Sequence, residues 1–188
     1  ANNDILNIRV MNLSLVGQPS TPYYFDPVNR AVEAAWRAGI VVIVSGGNSG
    51  PDPQTIAVPG NDPYVITVGA LNTNRTPGDW SDDTVLSWSA SGPTYDGFIK
   101  PDVLAPGTMV YSLLYNQMAF PDKTASLALQ HPDYQENQSF YHLSGTSVAA
   151  AVTSGVVAQL LQKFPTLTPT DIKQRLVRTA FSDITTDG

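Results

Sequence analysis

Cysteine is absent from the 188 residues, which excludes a disulfide framework, a thiolate nucleophile and a cysteine-ligated metal. Charge is sparse, at 14% of residues, with a formal net charge of −6. No Lys/Arg-rich stretch occurs, which argues against a nucleic-acid partner. Long apolar runs are missing too. The longest, Val148 to Leu161, is interrupted by Thr153, Ser154 and Gln159 and falls short of the roughly 20 residues a membrane-spanning helix needs, so no membrane partner is expected. Histidine is nearly absent: His131 and His142 are the two in the chain. No secretory leader opens the sequence, and "ANNDILNIRVMNLSL" enters a strand almost at once, as if a segment upstream were missing.

What remains is a chain that is 42% hydrophobic and long enough to bury a sizeable core as one domain. "IRVMNLSL" (8–15) reads as a buried strand. "DPVNRAVEAAWRAG" reads as a helix, with Asp26 as N-cap, Pro27 at the first helical position and Gly39 past the end. Its apolar stripe is predicted to be Val28, Ala31, Val32, Ala35 and Trp36. "IVVIVS" (40–45) is an apolar strand, so strand, helix and strand form a βαβ unit with parallel strands. Further strands are expected at 64–71, 85–89, 102–104 and 108–114, with a polar surface excursion over 115–139. A helix begins near Thr146, small and apolar enough to run through the core. The last helix opens with a capping box, Thr168 and Asp171, and is predicted to bury Ile172, Leu176, Val177 and Ala180. The fold class is α/β: a mostly parallel sheet with helices on both faces.

In such sheets the working groups sit where strands end and helices begin. Two loops fit: "SGGNSGP" after the second strand and "SGTS" before the apolar helix. A serine hydroxyl is a poor nucleophile and needs a base beside it. At a helix N-terminus it also has free N–H groups and a partial positive charge around it. Ser147 can therefore be a nucleophile whose own N–H holds an oxyanion, or an N-cap and nothing more. Asn48 can donate a second hydrogen bond to the same oxyanion, or be a residue in a left-handed turn.

The segments "NLSL", "VIVSGGNSGP", "VITVGA", "KPDVLAPG" and "GTSVAA" occur in one order, and together they closely resemble the subtilisin-like serine proteases, the subtilases. The likeness runs from about Ile8 to Ala180. It implies a subtilisin-like fold and endopeptidase cleavage through an acyl-enzyme. Gly145-Thr146-Ser147 matches the nucleophile segment, and the Asn48 loop matches the segment with the oxyanion-hole asparagine. Ser14, Leu15, Val16 and Gly17 match the strand along which substrate lies, and Ser45, Gly46 and Gly47 match the opposite wall of the specificity pocket. Two small departures appear: Ala151 stands where proline is usual, and Val16 where glycine is common.

The larger departure is the triad. Subtilases carry it in the order Asp, His, Ser, and the family's Asp and His-Gly-Thr segments both precede the "NLSL" strand. This chain has no His-Gly and no matching Asp motif. His142 lies five positions before Ser147, which an extended strand converts to a distance of roughly 15 Å. That is beyond the reach of a general base. His131 lies in the polar excursion.

The chain, residues 1–188, is therefore read as the C-terminal part of a subtilase catalytic domain that lacks its N-terminal strands and is inactive alone. The expected partners are a peptide or protein substrate and the missing N-terminal segment. Loss of that segment is expected to expose a sheet edge through which two copies could dimerise. The resemblance implies an extracellular, secreted protein. It implies no catalytic cofactor; calcium often stabilises the family, but no site for it is legible here. An α/β-hydrolase is excluded, because Gly-Thr-Ser-Val-Ala is not Gly-x-Ser-x-Gly and no histidine follows Ser147. The alternative that stays open is a catalytically inactive, subtilase-like peptide-binding or scaffold domain.

Overall fold

The computed structural model describes residues 6–113, 131–137, 139–182 and 184–186. Strand β1 (Val10–Leu13), helix α1 (Pro27–Arg37) and β2 (Val41–Ser45) form the expected βαβ unit, and β1 and β2 pair in parallel from Val10 opposite Val41 to Leu13 opposite Val44. All five residues of β2 are buried, which is why that segment is apolar on both faces. β3 (Ile66–Asn72) lies parallel to β2, and β5 (Val103–Pro106) runs parallel along the other edge of β3. β4 (Thr84–Val85) is antiparallel to the end of β3 and pairs with β8 (Thr185–Thr186). Leu71 pairs with both Pro106 and Val85, so β4 shares the β2 edge of β3.

β6 (Val110–Leu113) and β7 (Phe140–Leu143) form a separate antiparallel pair, so the expected strand at 108–114 stands outside the main sheet. Of the predicted excursion over 115–139, the stretch 115–130 lies outside the described residues. His131 to Gln135 contain a single 3-10 turn, Pro132–Tyr134.

Helix α2 (Thr146–Lys163) packs across β1, β2, β3 and β5. Its buried face is Thr146, Ala149, Ala150, Thr153, Val157 and Leu161, spaced at the helical period. It is not buried all round as its composition predicts: Ala151, Gly155 and Val156 are exposed. Among the described residues β1 pairs with β2 alone, so its other edge is open.

Two predicted stripes are rotated. α1 buries Asn29, Val32, Glu33 and Trp36, while Val28 and Ala31 face solvent. The inner face is turned by one residue because Asn29 is drawn inward to donate from Nδ2 to Asn61 Oδ1 at 3.0 Å. Helix α3 (Pro169–Thr179) has the capping box, with Asp171 N–H donating to Thr168 Oγ1 at 3.2 Å and Thr168 N–H to Asp171 Oδ2 at 2.9 Å. It buries Pro169 and Ile172 and half-buries Leu176, but Val177 and Ala180 are exposed. One side of α3 is anchored through Lys173, whose Nζ donates to the carbonyls of Pro63 and Val65, each at 2.8 Å. That fixes which face turns inward and leaves Val177 at the rim.

Asp102 ties these parts together. Its carboxylate meets Lys100 Nζ at 2.7 Å and Lys173 Nζ at 3.0 Å, and accepts from Thr67 N–H at 2.8 Å. Lys100 is almost wholly buried, and that burial lowers its pKa to about 8.

Candidate active site

The site lies at the carboxyl end of β2, where the chain enters the Gly46-Gly47-Asn48 loop and meets the N-terminus of α2. Gly47 has φ +114° and Gly145, the N-cap of α2, φ +151°. Both conformations are costly for residues with a Cβ, so the two loops can turn sharply at these points.

Thr146 joins the loops. Its N–H and its hydroxyl each donate to Asn48 Oδ1 at 2.9 Å, and its Oγ1 accepts from Gly47 N–H at 3.2 Å. Asn48 is thus oriented by its oxygen, which leaves its amide Nδ2 without an acceptor among the described residues. Ser147, next along, is half-buried in the first helical turn, and its N–H belongs to the set that has no intrahelical partner. A methyl group built on Gly145 would lie 3.6 Å from Asn48 Nδ2 and 3.7 Å from Ser147 N. Two N–H donors therefore flank one point beside Ser147. Such a point can accept an oxygen carrying negative charge, helped by the positive end of the α2 dipole.

The other site residues are tied to Ser147 or to one another. Ser14 Oγ donates to the carbonyl of Ser147 at 2.8 Å and accepts from Asn12 Nδ2 at 3.0 Å. Ser154 Oγ donates to Asn12 Oδ1 at 3.0 Å, so the end of β1 is laced to α2. Leu15 and Val16 are exposed, and Gly17 forms an antiparallel bridge with Val58, with N–H to carbonyl distances of 2.8 and 2.9 Å. Ser45, Gly46 and Gly47 are buried across from this stretch, and Ser45 Oγ lies 3.5 Å from the Leu15 carbonyl. The segment 14–17 and the segment 45–47 are thus brought to one place, together with Ser147 and Asn48.

Sequence reasoning missed Thr146 and Asn12 as organisers. The signal for Asn12 was present: it is a polar residue in an otherwise apolar strand. For Thr146 it was not, because its role exists only once the two loops meet.

The histidines lie elsewhere. His142 is in β7 beside the rings of Tyr111 and Tyr134, at centroid distances of 5.8 and 6.4 Å, and its Nδ1 is buried without a partner. His131 stacks on Tyr134 at 4.6 Å. Neither is hydrogen-bonded to Ser147. Among the described residues no three His, Asp or Glu side chains gather as a metal site, and no residue is assigned to calcium. No helix among them is long and apolar enough to cross a membrane.

The fold is thus an α/β domain with a mostly parallel sheet, a serine in the first turn of the helix that crosses it, and a loop asparagine hydrogen-bonded to that turn. The Subtilase family model matches residues 5–188, and the chain belongs to that family. It is 49% identical over 151 residues to serine protease AprX of Bacillus subtilis (strain 168), covering 80% of this chain and 32% of that protein. It is 31% identical over 173 residues to subtilisin DY of Bacillus licheniformis, covering 91% and 49%. Among solved structures, the S41 psychrophilic protease superposes with TM-score 0.70 at 23% identity, covering 98% of this chain and 53% of that one; this likeness shows the fold. A cold-adapted subtilisin-like serine proteinase superposes with TM-score 0.66 at 26% identity, covering 95% and 50%. The chain thus spans between about a third and a half of the length of these relatives.

Proposed function

We propose that residues 1–188 are the nucleophile-bearing C-terminal part of a serine endopeptidase domain. The observation that carries this is the point flanked by Asn48 Nδ2 and Ser147 N. A peptide laid along residues 14–17 presents its scissile carbonyl there. Ser147 Oγ bonds to the carbonyl carbon as its proton passes to a base, and the carbonyl π pair moves onto oxygen, held by the two N–H donors. Collapse of this intermediate expels the amine, which takes the proton, and water then hydrolyses the ester. Ser45, Gly46 and Gly47 wall the side-chain pocket.

The base and the carboxylate that orients it come from a segment outside this sequence. The open edge of β1 supports this, since a further strand could pair there, and so does the exposed face of α2 at Ala151, Gly155 and Val156, which further chain could cover. The same edge is the seat for a second copy when that segment is absent. Alone the chain is nearly inert. In a subtilisin, whose measured value is borrowed here, loss of the histidine costs about 10⁶ in turnover. By resemblance the whole protein acts outside the cell on peptide or protein substrates.

Fluorophosphonate labelling tests the reading. The chain alone should label slowly, and co-refolding with an Asp- and His-bearing N-terminal subtilase segment should raise the rate by at least 10³. Ser147→Ala should abolish labelling. A correctly refolded complex that binds peptide but stays unlabelled would instead establish the inactive, peptide-binding alternative.

A further inference from the structure

A cavity lies outside the Ser147–Asn48 site and is lined by none of the residues named in that site. It has a volume of about 890 Å³ and sits between the loop leading into β4 and the segment after α3, walled by Leu71, Trp80, Val85, Phe181 and Ile184. That is the size range of small-molecule sites. Trp80 and Phe181 are exposed at its mouth, with ring centroids 6.2 Å apart.

Asp83 lines this cavity and is only 5% exposed. Its neighbours differ from it. Asp79 accepts from Ser81 N–H and Oγ–H at 3.0 and 2.6 Å, and Asp82 accepts from Thr76 Oγ1 at 2.8 Å. Asp102, also on the wall, is compensated by Lys100 and Lys173. Asp83 alone of these four has neither a hydrogen bond nor an ion pair within the described residues. The Asp83 carboxylate has no protein partner and its oxygens are not fully closed off from solvent; the partial loss of hydration still disfavours the ionised form. Burial first, then the charges of Asp82 and Asp79, accordingly raise its pKa. A cation entering the cavity relieves that cost, and two aromatic faces at the mouth favour a cation attached to an apolar body.

We propose that this cavity binds primary arylalkylammonium compounds, the ammonium group pairing with Asp83 and the ring packing against Trp80 and Phe181. The probe is 2-phenylethylamine, followed by tryptophan fluorescence on the 188-residue chain at neutral pH. A saturable change is expected. 2-Phenylethanol should bind at least tenfold more weakly, and 3-phenylpropionate should not bind. Asp83→Asn, checked for folding by circular dichroism, should weaken amine binding at least tenfold. Trp80→Ala, read by calorimetry, should weaken it about threefold to tenfold. Asp82→Asn should leave it within twofold. Absence of a saturable signal overturns the proposal, as does equal binding by Asp83→Asn or by the alcohol. Calcium that displaces the amine in an Asp83-dependent way would make this a metal site and overturn it as well.

Discussion

Asn48 and Asn61 each sit in a loop that follows a buried segment, yet their surroundings are opposite. Asn48 is exposed; its oxygen is anchored twice by Thr146 and its free Nδ2 faces open space. Asn61 is 1% exposed, accepts from Asn29, and has an Nδ2 with no partner; Asn29 Oδ1 and Asp62 Oδ2 nearby are also unsatisfied. A free donor in contact with water costs little and is available to a substrate. A free donor in the interior costs about 1–3 kcal/mol and serves no incoming group. The same side chain thus offers an accessible donor in one loop and is a structural liability in the other, and access to solvent makes the difference.

The severest way to break this comparison is to create a new unpaired group inside. Asp102→Asn would leave Lys100 buried beside Lys173 with no counter-charge, and the loss should be about 3–5 kcal/mol in urea unfolding. A loss below about 1 kcal/mol would show that interior pairing matters little here.

Asn48→Ala tests the exposed side. It should slow fluorophosphonate labelling of the completed domain by about 10²–10³, or about 2.7–4 kcal/mol, the size seen when the oxyanion asparagine is removed from a subtilisin. Its stability should fall by about 1–3 kcal/mol, because the N–H of buried Thr146 loses its acceptor. Equal labelling rates would remove Asn48 from the proposed chemistry.

Asp62 offers a sharper measurement. Its Oδ1 accepts from Tyr64 N–H at 2.8 Å, but burial raises its pKa from 3.8 to about 6. Between those two values the folded protein holds the proton more tightly than the unfolded chain. The stabilisation is therefore complete below about 4 and is lost as pH rises through about 6. Asp62→Asn should flatten this part of the stability–pH curve and stabilise the protein near neutrality by about 2 kcal/mol. A curve that keeps its slope would assign it to other groups.

The smallest effect is expected when both members of a buried pair are replaced together. Asn29→Leu with Asn61→Leu should change stability by about 1 kcal/mol or less, since no orphaned partner is left behind. The single Asn61→Leu should cost more than the double. The reverse order would mean that the pair is worth more than its unsatisfied atoms cost.

Much of this was legible in the chain. The Asp26 and Thr168 caps, the apolar β2 run and the start of α2 follow from local chemistry: short polar side chains satisfy a helix's first N–H groups, and only a strand buried on both faces is apolar at every position. Ser147 and Asn48 were singled out by their loops, and the family resemblance by motif order. What the sequence by itself determined is therefore the periodic elements, their ends and the two loops that carry chemistry, because those depend on residues within a few positions of one another. Only the tertiary structure decided that Thr146 locks Asn48 by its oxygen, that α1 turns Asn29 inward in place of Val28, that Val177 is left at the surface, and that Asp83 is buried while Asp79 and Asp82 are capped by loop hydroxyls. Each of these rests on contacts between distant segments, and which polar atom finds a partner, and which is left without one, is settled only when those segments pack.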